Sequence, residues 1–144
     1  MERTSSAVWR GAGTDGAGSL STQSGAFRDQ PYSFQTRFGS EDGKAGTNPE
    51  ELIAAALAGC FTMAVSFALT GAGHTPEELR TKAHVKIERI DNAFTITGIR
   101  LELDGHVPGI TPAAFQELAQ KAKAECPVSR ALASVPITLE ARLT

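Results

Sequence analysis

Cysteine is scarce in this sequence: Cys60 and Cys126 are the only two among 144 residues. Two thiols are too few for the disulfide framework of a small secreted scaffold, and in a reducing compartment a bridge between them is transient, hence catalytic or regulatory. Histidine is equally sparse. His74, His84 and His106 lie far apart, with neither the C-x₂-C nor the H-x₃-H spacing of a zinc site, so no metal or other cofactor is expected. Positive charge is not in excess: 14 Lys and Arg against 16 Asp and Glu give a formal charge of −2, which argues against nucleic acid or an anionic membrane surface as a partner. The start, "MERTSSAVWRGAGTDG", has no apolar core behind its basic residues and does not read as a secretory signal. No apolar run reads as an unbroken membrane span, the nearest being flanked by "NPEE" and "GAGH". A soluble, cytoplasmic protein is the expectation.

What is present suffices for one core. At 41% hydrophobic residues, a chain of this length is expected to fold as a single domain spanning 1–144. Its first 40 residues read as three strands separated by glycine turns: "AVWRGA", "SLSTQS" and "PYSFQTRF". In the third, Tyr32, Phe34, Thr36 and Phe38 alternate with Ser33, Gln35 and Arg37, the period of a half-buried strand. That reading holds Arg37 on the face opposite the aromatic residues. A polar, glycine-rich loop, "GSEDGKAGT", follows.

A long helix then begins. Asn48 is suited to the cap, Pro49 to the first helical position, and Glu50 and Glu51 to the positive end of the helix dipole, with Glu51 placed to complete a capping box. From Leu52 to Leu69 nearly every residue is apolar or small, and a helix apolar on all faces is expected to be buried on all faces. "GAG" from Gly71 ends it. Two alternating runs, "KAHVKIERI" and "AFTITGIRLELDGHV", flank a hairpin turn at Asp91–Asn92. A second helix is capped by Thr111, opens at Pro112 and buries Phe115, Leu118 and Ala122. A break and restart at Pro127 lead to a last strand, "VPITLEARLT". The fold class is α+β in the order βββ-α-ββ-α-β, with the long helix central.

The thiols sit in different surroundings. Cys60 lies twelve residues beyond the cap, where the dipole has faded, so burial alone would leave it inert. A reactive Cys60 needs a positive charge from elsewhere in the fold. Arg37 is a suitable source, and Glu50 is a suitable bidentate holder for it. Ten residues of helix separate Glu50 from Cys60, about 15 Å. If both belong to one site, a second copy's helix must bring them together, which makes an intertwined dimer plausible. Cys126 precedes Pro127 at the start of a short helix and, read locally, is the more acidic thiol.

Taken together, "QPYSFQTRF", "GTNPEELIAAALAGCFTMAVS" and "ECPVSRAL", with "SLSTQSG" and "VPGIT", resemble the family of osmotically inducible protein C and the organic hydroperoxide resistance proteins. The "YSFQTRF" block is similar to the osmotically inducible branch. The resemblance implies a thiol peroxidase reducing organic hydroperoxides to alcohols. By it, Cys60 is the peroxidatic thiolate, Cys126 the resolving thiol that forms a disulfide with it, Arg37 the stabiliser of thiolate and departing oxygen, and Glu50 the residue that holds the arginine. It also implies an obligate homodimer with two long helices at its centre, and an external dithiol as reductant. A non-catalytic thiol redox sensor, or a module binding a small apolar ligand, is the alternative.

Overall fold

A computed structural model describes all residues, Met1–Thr144. The chain forms two compact units, Met1–Leu52 and Ile53–Thr144.

The first unit carries an antiparallel sheet of β1 (Ser5–Arg10), β2 (Ala17–Thr22) and β3 (Gln30–Ser33) in sequence order. The strand read through Phe38 stops at Ser33. Phe34–Phe38 is a short helix, α1, and Arg37 stands in its last turn rather than on a strand. Local hydrogen bonding overrides the period-two pattern here. Ser33 Oγ accepts from the Thr36 amide, and Thr36 Oγ1 accepts from the Ser33 amide, closing a capping box with threonine in the third position. The same aromatic spacing that suggested a strand also places Phe34 and Phe38 one helical turn apart, with ring centroids at 5.1 Å. Gly39 ends the helix, its amide donating to Gln35 O.

Helix α2 runs from Pro49 to Gly71. Asn48 Oδ1 accepts from the Glu51 amide at 2.8 Å, so the cap is as expected. The carboxylate of Glu51 turns instead to Thr47 Oγ1, also at 2.8 Å. The helix ends where Gly73, at φ +86, turns the chain and the His74 amide donates back to Leu69 O. By length and composition α2 is apolar enough to cross a membrane. This corrects the reading of the sequence, because the only charges, Glu50 and Glu51, fall in its first turn and leave the apolar run unbroken.

The second unit has a sheet of β4 (Glu78–Ile90), β5 (Ala93–His106) and β6 (Ile137–Leu143). Asp91 and Asn92, at φ 48 and 65, form the two-residue turn between β4 and β5, as the primed hairpin turns require. Strand β6 pairs with β5 in parallel, which demands a crossover. That crossover is α3 (Pro112–Glu125), capped by Thr111, followed by α4 (Pro127–Ala131), capped by Cys126. Alternate residues of β5, Ile99, Leu101 and Leu103, face Phe115, Ala119 and Ala122 of α3 and the stripe Leu57, Phe61, Val65 and Leu69 of α2 in one core. Leu118, read as part of the buried stripe of α3, is only half-buried, and Ala119 is inside.

Helix α2 is therefore not buried on all faces by its own chain. One stripe at four-residue spacing is fully buried, whereas Met63 and Phe67 are 61% and 73% exposed. The sheet and α3 of a single copy present one packing surface, which covers one side of a cylinder.

Gly105 of β5 shows how tight that core is. A Cβ there would fall within contact-forbidden distance of the Phe115 ring and 3.2 Å from Leu79 Cδ2. Gly105→Ala is expected to destabilise the fold by about 1–3 kcal/mol through overpacking. Urea unfolding reads this as a lower midpoint at unchanged slope.

Candidate functional site

Four side chains singled out in the sequence form two pairs, one in each compact unit. In the first unit, the turn of α1 aims Arg37 at the first turn of α2. Arg37 Nη2 donates to Glu50 Oε1 at 2.6 Å and Nε donates to Oε2 at 3.1 Å. This is the forked geometry of an arginine–carboxylate pair. Glu50 is 8% exposed while the Arg37 side chain is 36% exposed, so the carboxylate is an anchor and the guanidinium keeps an open face. The guanidinium also lies 4.8 Å from the centre of the Phe38 ring, a cation–π contact. Arg37 and Phe38 border a recess of about 100 Å³ shared with Trp9, Tyr32 and Phe34. An arginine at the rim of an aromatic recess suits a molecule with one polar and one apolar end.

In the second unit, Cys60 on α2 and Cys126 at the cap of α4 place their sulfurs 2.9 Å apart, with no covalent bond. Sixty-six residues separate them in sequence. The crossover between β5 and β6 is what returns Cys126 to α2. Cys126 is fully buried and Cys60 is partly exposed, so a reagent from solvent meets Cys60.

Burial pushes the Cys60 thiol above its ordinary range. Its hydrogen bond and charge coupling with Cys126 push it the same way, opposed by the Val128 amide. Burial acts upward on Cys126 too. There the Cys60 thiol, the amide and hydroxyl of Ser129 and the Val128 amide outweigh it, and the Cys126 thiol lies below its ordinary range.

Sequence reasoning missed Ser129 and the Val128 amide. The signal was present: cysteine at a helix cap with serine three residues later repeats the spacing by which cap and third residue meet. Gly59 precedes Cys60 beside an open groove of about 680 Å³ lined also by Ala58, Thr62, Met63, Leu79 and Thr81. A Cβ at Gly59 would meet nothing within 4 Å. No cluster of three or more His, Cys, Asp or Glu side chains stands close enough to hold a metal ion. His84 Nε2 lies 3.2 Å from Glu102 and His106 Nε2 lies 3.3 Å from Glu77.

The chain as a whole is similar to known proteins. The family described as OsmC-like protein matches residues 40–140. Peroxiredoxin OsmC of Escherichia coli (strain K12) is 46% identical over 143 residues, which span 99% of this chain and 97% of that protein. The organic hydroperoxide resistance protein of Xanthomonas axonopodis pv. citri is 38% identical over 99 residues, 67% of this chain and 68% of that one. Among solved structures, the organic hydroperoxide resistance protein OhrB of Bacillus subtilis superposes with a TM-score of 0.74 at 25% identity, covering 96% of this chain and 98% of that one. With its family match, its near full-length relative and the same α+β architecture, the chain belongs to the OsmC-like family.

Proposed function

We propose that this protein is a cysteine-based peroxidase that reduces organic hydroperoxides to alcohols, acting as a soluble, cytoplasmic single-domain homodimer in oxidative or osmotic stress defence. The names of its relatives support a peroxide-related role. The observation that carries the finer reading is the pair of unbridged thiols 2.9 Å apart, one partly exposed and one buried.

The Cys60 thiolate attacks one oxygen of the hydroperoxide. The O–O bond breaks, the alkoxide leaves as alcohol after taking a proton, and Cys60 becomes a sulfenic acid. Cys126 attacks that sulfur, water leaves, and a Cys60–Cys126 disulfide forms. An external dithiol then reduces the disulfide and is itself oxidised by two electrons.

Cys60 is not activated by its own surroundings, since burial and Cys126 both raise its pKa. The Arg37–Glu50 pair of a second copy supplies the charge in this reading. A guanidinium beside a thiol favours the ionised form over the neutral one, and the open face that Arg37 keeps while Glu50 anchors its other side is the part free to do so. A homodimer would also cover Met63 and Phe67, the exposed apolar side of α2.

The test is turnover. Incubation with cumene hydroperoxide and excess dithiothreitol is expected to yield cumyl alcohol in many-fold molar excess over protein, with matching consumption of dithiol. At most one equivalent of alcohol would mark a non-catalytic redox sensor instead. No thiol oxidation at all would leave a module that binds a small apolar ligand.

A further inference from the structure

Ser129 is 6% exposed and its Oγ is the one buried polar side-chain atom that makes no hydrogen bond in the resting thiol pair, although the hydroxyl is among the groups that favour the charged form of Cys126. A buried hydroxyl in that state is costly and calls for a reason. Its surroundings supply one. Ser129 is the third residue of α4, and Cys126 is the cap of the same helix, the relation in which a third-position group and a cap face one another. The backbone is already locked across this turn, because the Arg130 amide donates to Cys126 O at 3.0 Å.

We propose that Ser129 is a positioning residue whose hydroxyl donates to Cys126 Sγ when that sulfur carries negative charge, and that it thereby speeds release of Cys126 as the leaving group when the Cys60–Cys126 disulfide is reduced. The proposal rests on the peroxidase reading and deepens it. In the resting thiol pair the hydroxyl gains little, since a neutral sulfur is a poor acceptor. A thiolate is a strong one. The stabilisation therefore falls on the charged state of Cys126 more than on the neutral one, and differential stabilisation of that kind is what accelerates a step.

Exposure decides which sulfur leaves. A dithiol reductant arriving from solvent reaches the partly exposed Cys60 and not the fully buried Cys126. One of its thiolates attacks Cys60 Sγ, the Cys60–Cys126 bond breaks, and its electron pair departs on Cys126. The reductant's second thiol then displaces Cys60 from the mixed disulfide. The reductant ends as a disulfide, and its two protons end on Cys60 and Cys126. A leaving thiol of lower pKa departs faster. The groups acting on Cys126 are Cys60 from α2 and the Val128 amide, Ser129 amide and Ser129 hydroxyl from α4, with no charged side chain among them.

Two measurements test this. The first titrates the Cys126 thiolate by its ultraviolet absorbance in Cys60→Ala protein, with and without Ser129→Ala. Removal of the hydroxyl is expected to raise the midpoint by about one unit, a tenfold smaller thiolate fraction below it, and Ser129→Thr is expected to restore it. The second follows reduction of the preformed disulfide by dithiothreitol. Ser129→Ala is expected to slow it roughly three- to tenfold, more than it slows oxidation by cumene hydroperoxide, with Ser129→Thr again close to the parent. Equal midpoints with and without the Ser129→Ala substitution, or a reduction rate that Ser129→Thr does not rescue, would overturn the proposal. Failure of the parent protein to form the disulfide would instead overturn the peroxidase reading. The thiolate titration needs no peroxide and reads the role of Ser129 in either case.

Discussion

Cys60→Ser is expected to remove hydroperoxide reduction, with kcat/KM falling on the order of 10³-fold or more, as loss of a nucleophile does elsewhere. The thiolate is the attacking species, and a serine hydroxyl at the same place stays protonated at any working pH. The fold is expected to survive. Cys60 is only partly buried, and the core stripe of α2 is carried by Leu57, Phe61, Val65 and Leu69. Thermal unfolding close to the parent, together with lost alcohol production, separates chemistry from stability. Cys126→Ser is expected to behave differently. It should still yield about one equivalent of alcohol, leaving Cys60 as a sulfenic acid that excess peroxide drives up the oxidation ladder. Full turnover in Cys60→Ser would show that the roles are misassigned.

Arg37→Ala carries the second large effect. Loss of a preorganised cation is expected to lower kcat/KM about 10²-fold or more near neutral pH. If the cation acts as proposed, by favouring the thiolate, its removal raises the Cys60 pKa and the rate profile shifts to higher pH. The deficit should therefore shrink as pH rises and the thiol ionises on its own. A deficit constant across the pH range would mean that Arg37 acts on the departing oxygen alone. The variant also leaves Glu50, 8% exposed, without its forked partner. A cost of about 1–3 kcal/mol is expected for that unsatisfied carboxylate, kept moderate because the Arg37 side chain is one-third exposed and its charge is partly screened. Arg37→Lys is expected to recover part of the rate, since a lysine restores the charge but not the fork.

Much of this architecture was legible in the sequence because it is written in local signals. The cap Asn48, the cap Thr111 with Pro112, the Asp91–Asn92 turn and the restart at Pro127 all stand where short-range chemistry placed them. The failures have physical causes. At Phe34–Phe38 a period-two pattern and an i,i+4 aromatic pair fit the same residues, and the reciprocal Ser33–Thr36 hydrogen bonds decided for helix. That placed Arg37 in a helical turn aimed at Glu50 instead of on a sheet face. The uniform apolarity of α2 predicted burial on every side, whereas one copy of the chain covers a single stripe. The parallel pairing of β6 with β5 depends on how the crossover packs, which no local pattern encodes. The closeness of Cys60 and Cys126 follows from that crossover. Their sequence separation left it open, and only the resemblance to a family implied it.

The decisive measurement for the two-thiol mechanism is the intact mass and free-thiol count of the reduced protein before and after one equivalent of cumene hydroperoxide. That mechanism predicts loss of both thiols, a mass lower by two hydrogens, a peptide linking Cys60 to Cys126, and one equivalent of cumyl alcohol. Two free thiols and an unchanged mass in the folded protein would contradict it, leaving Cys60 a core residue beside an inert neighbour.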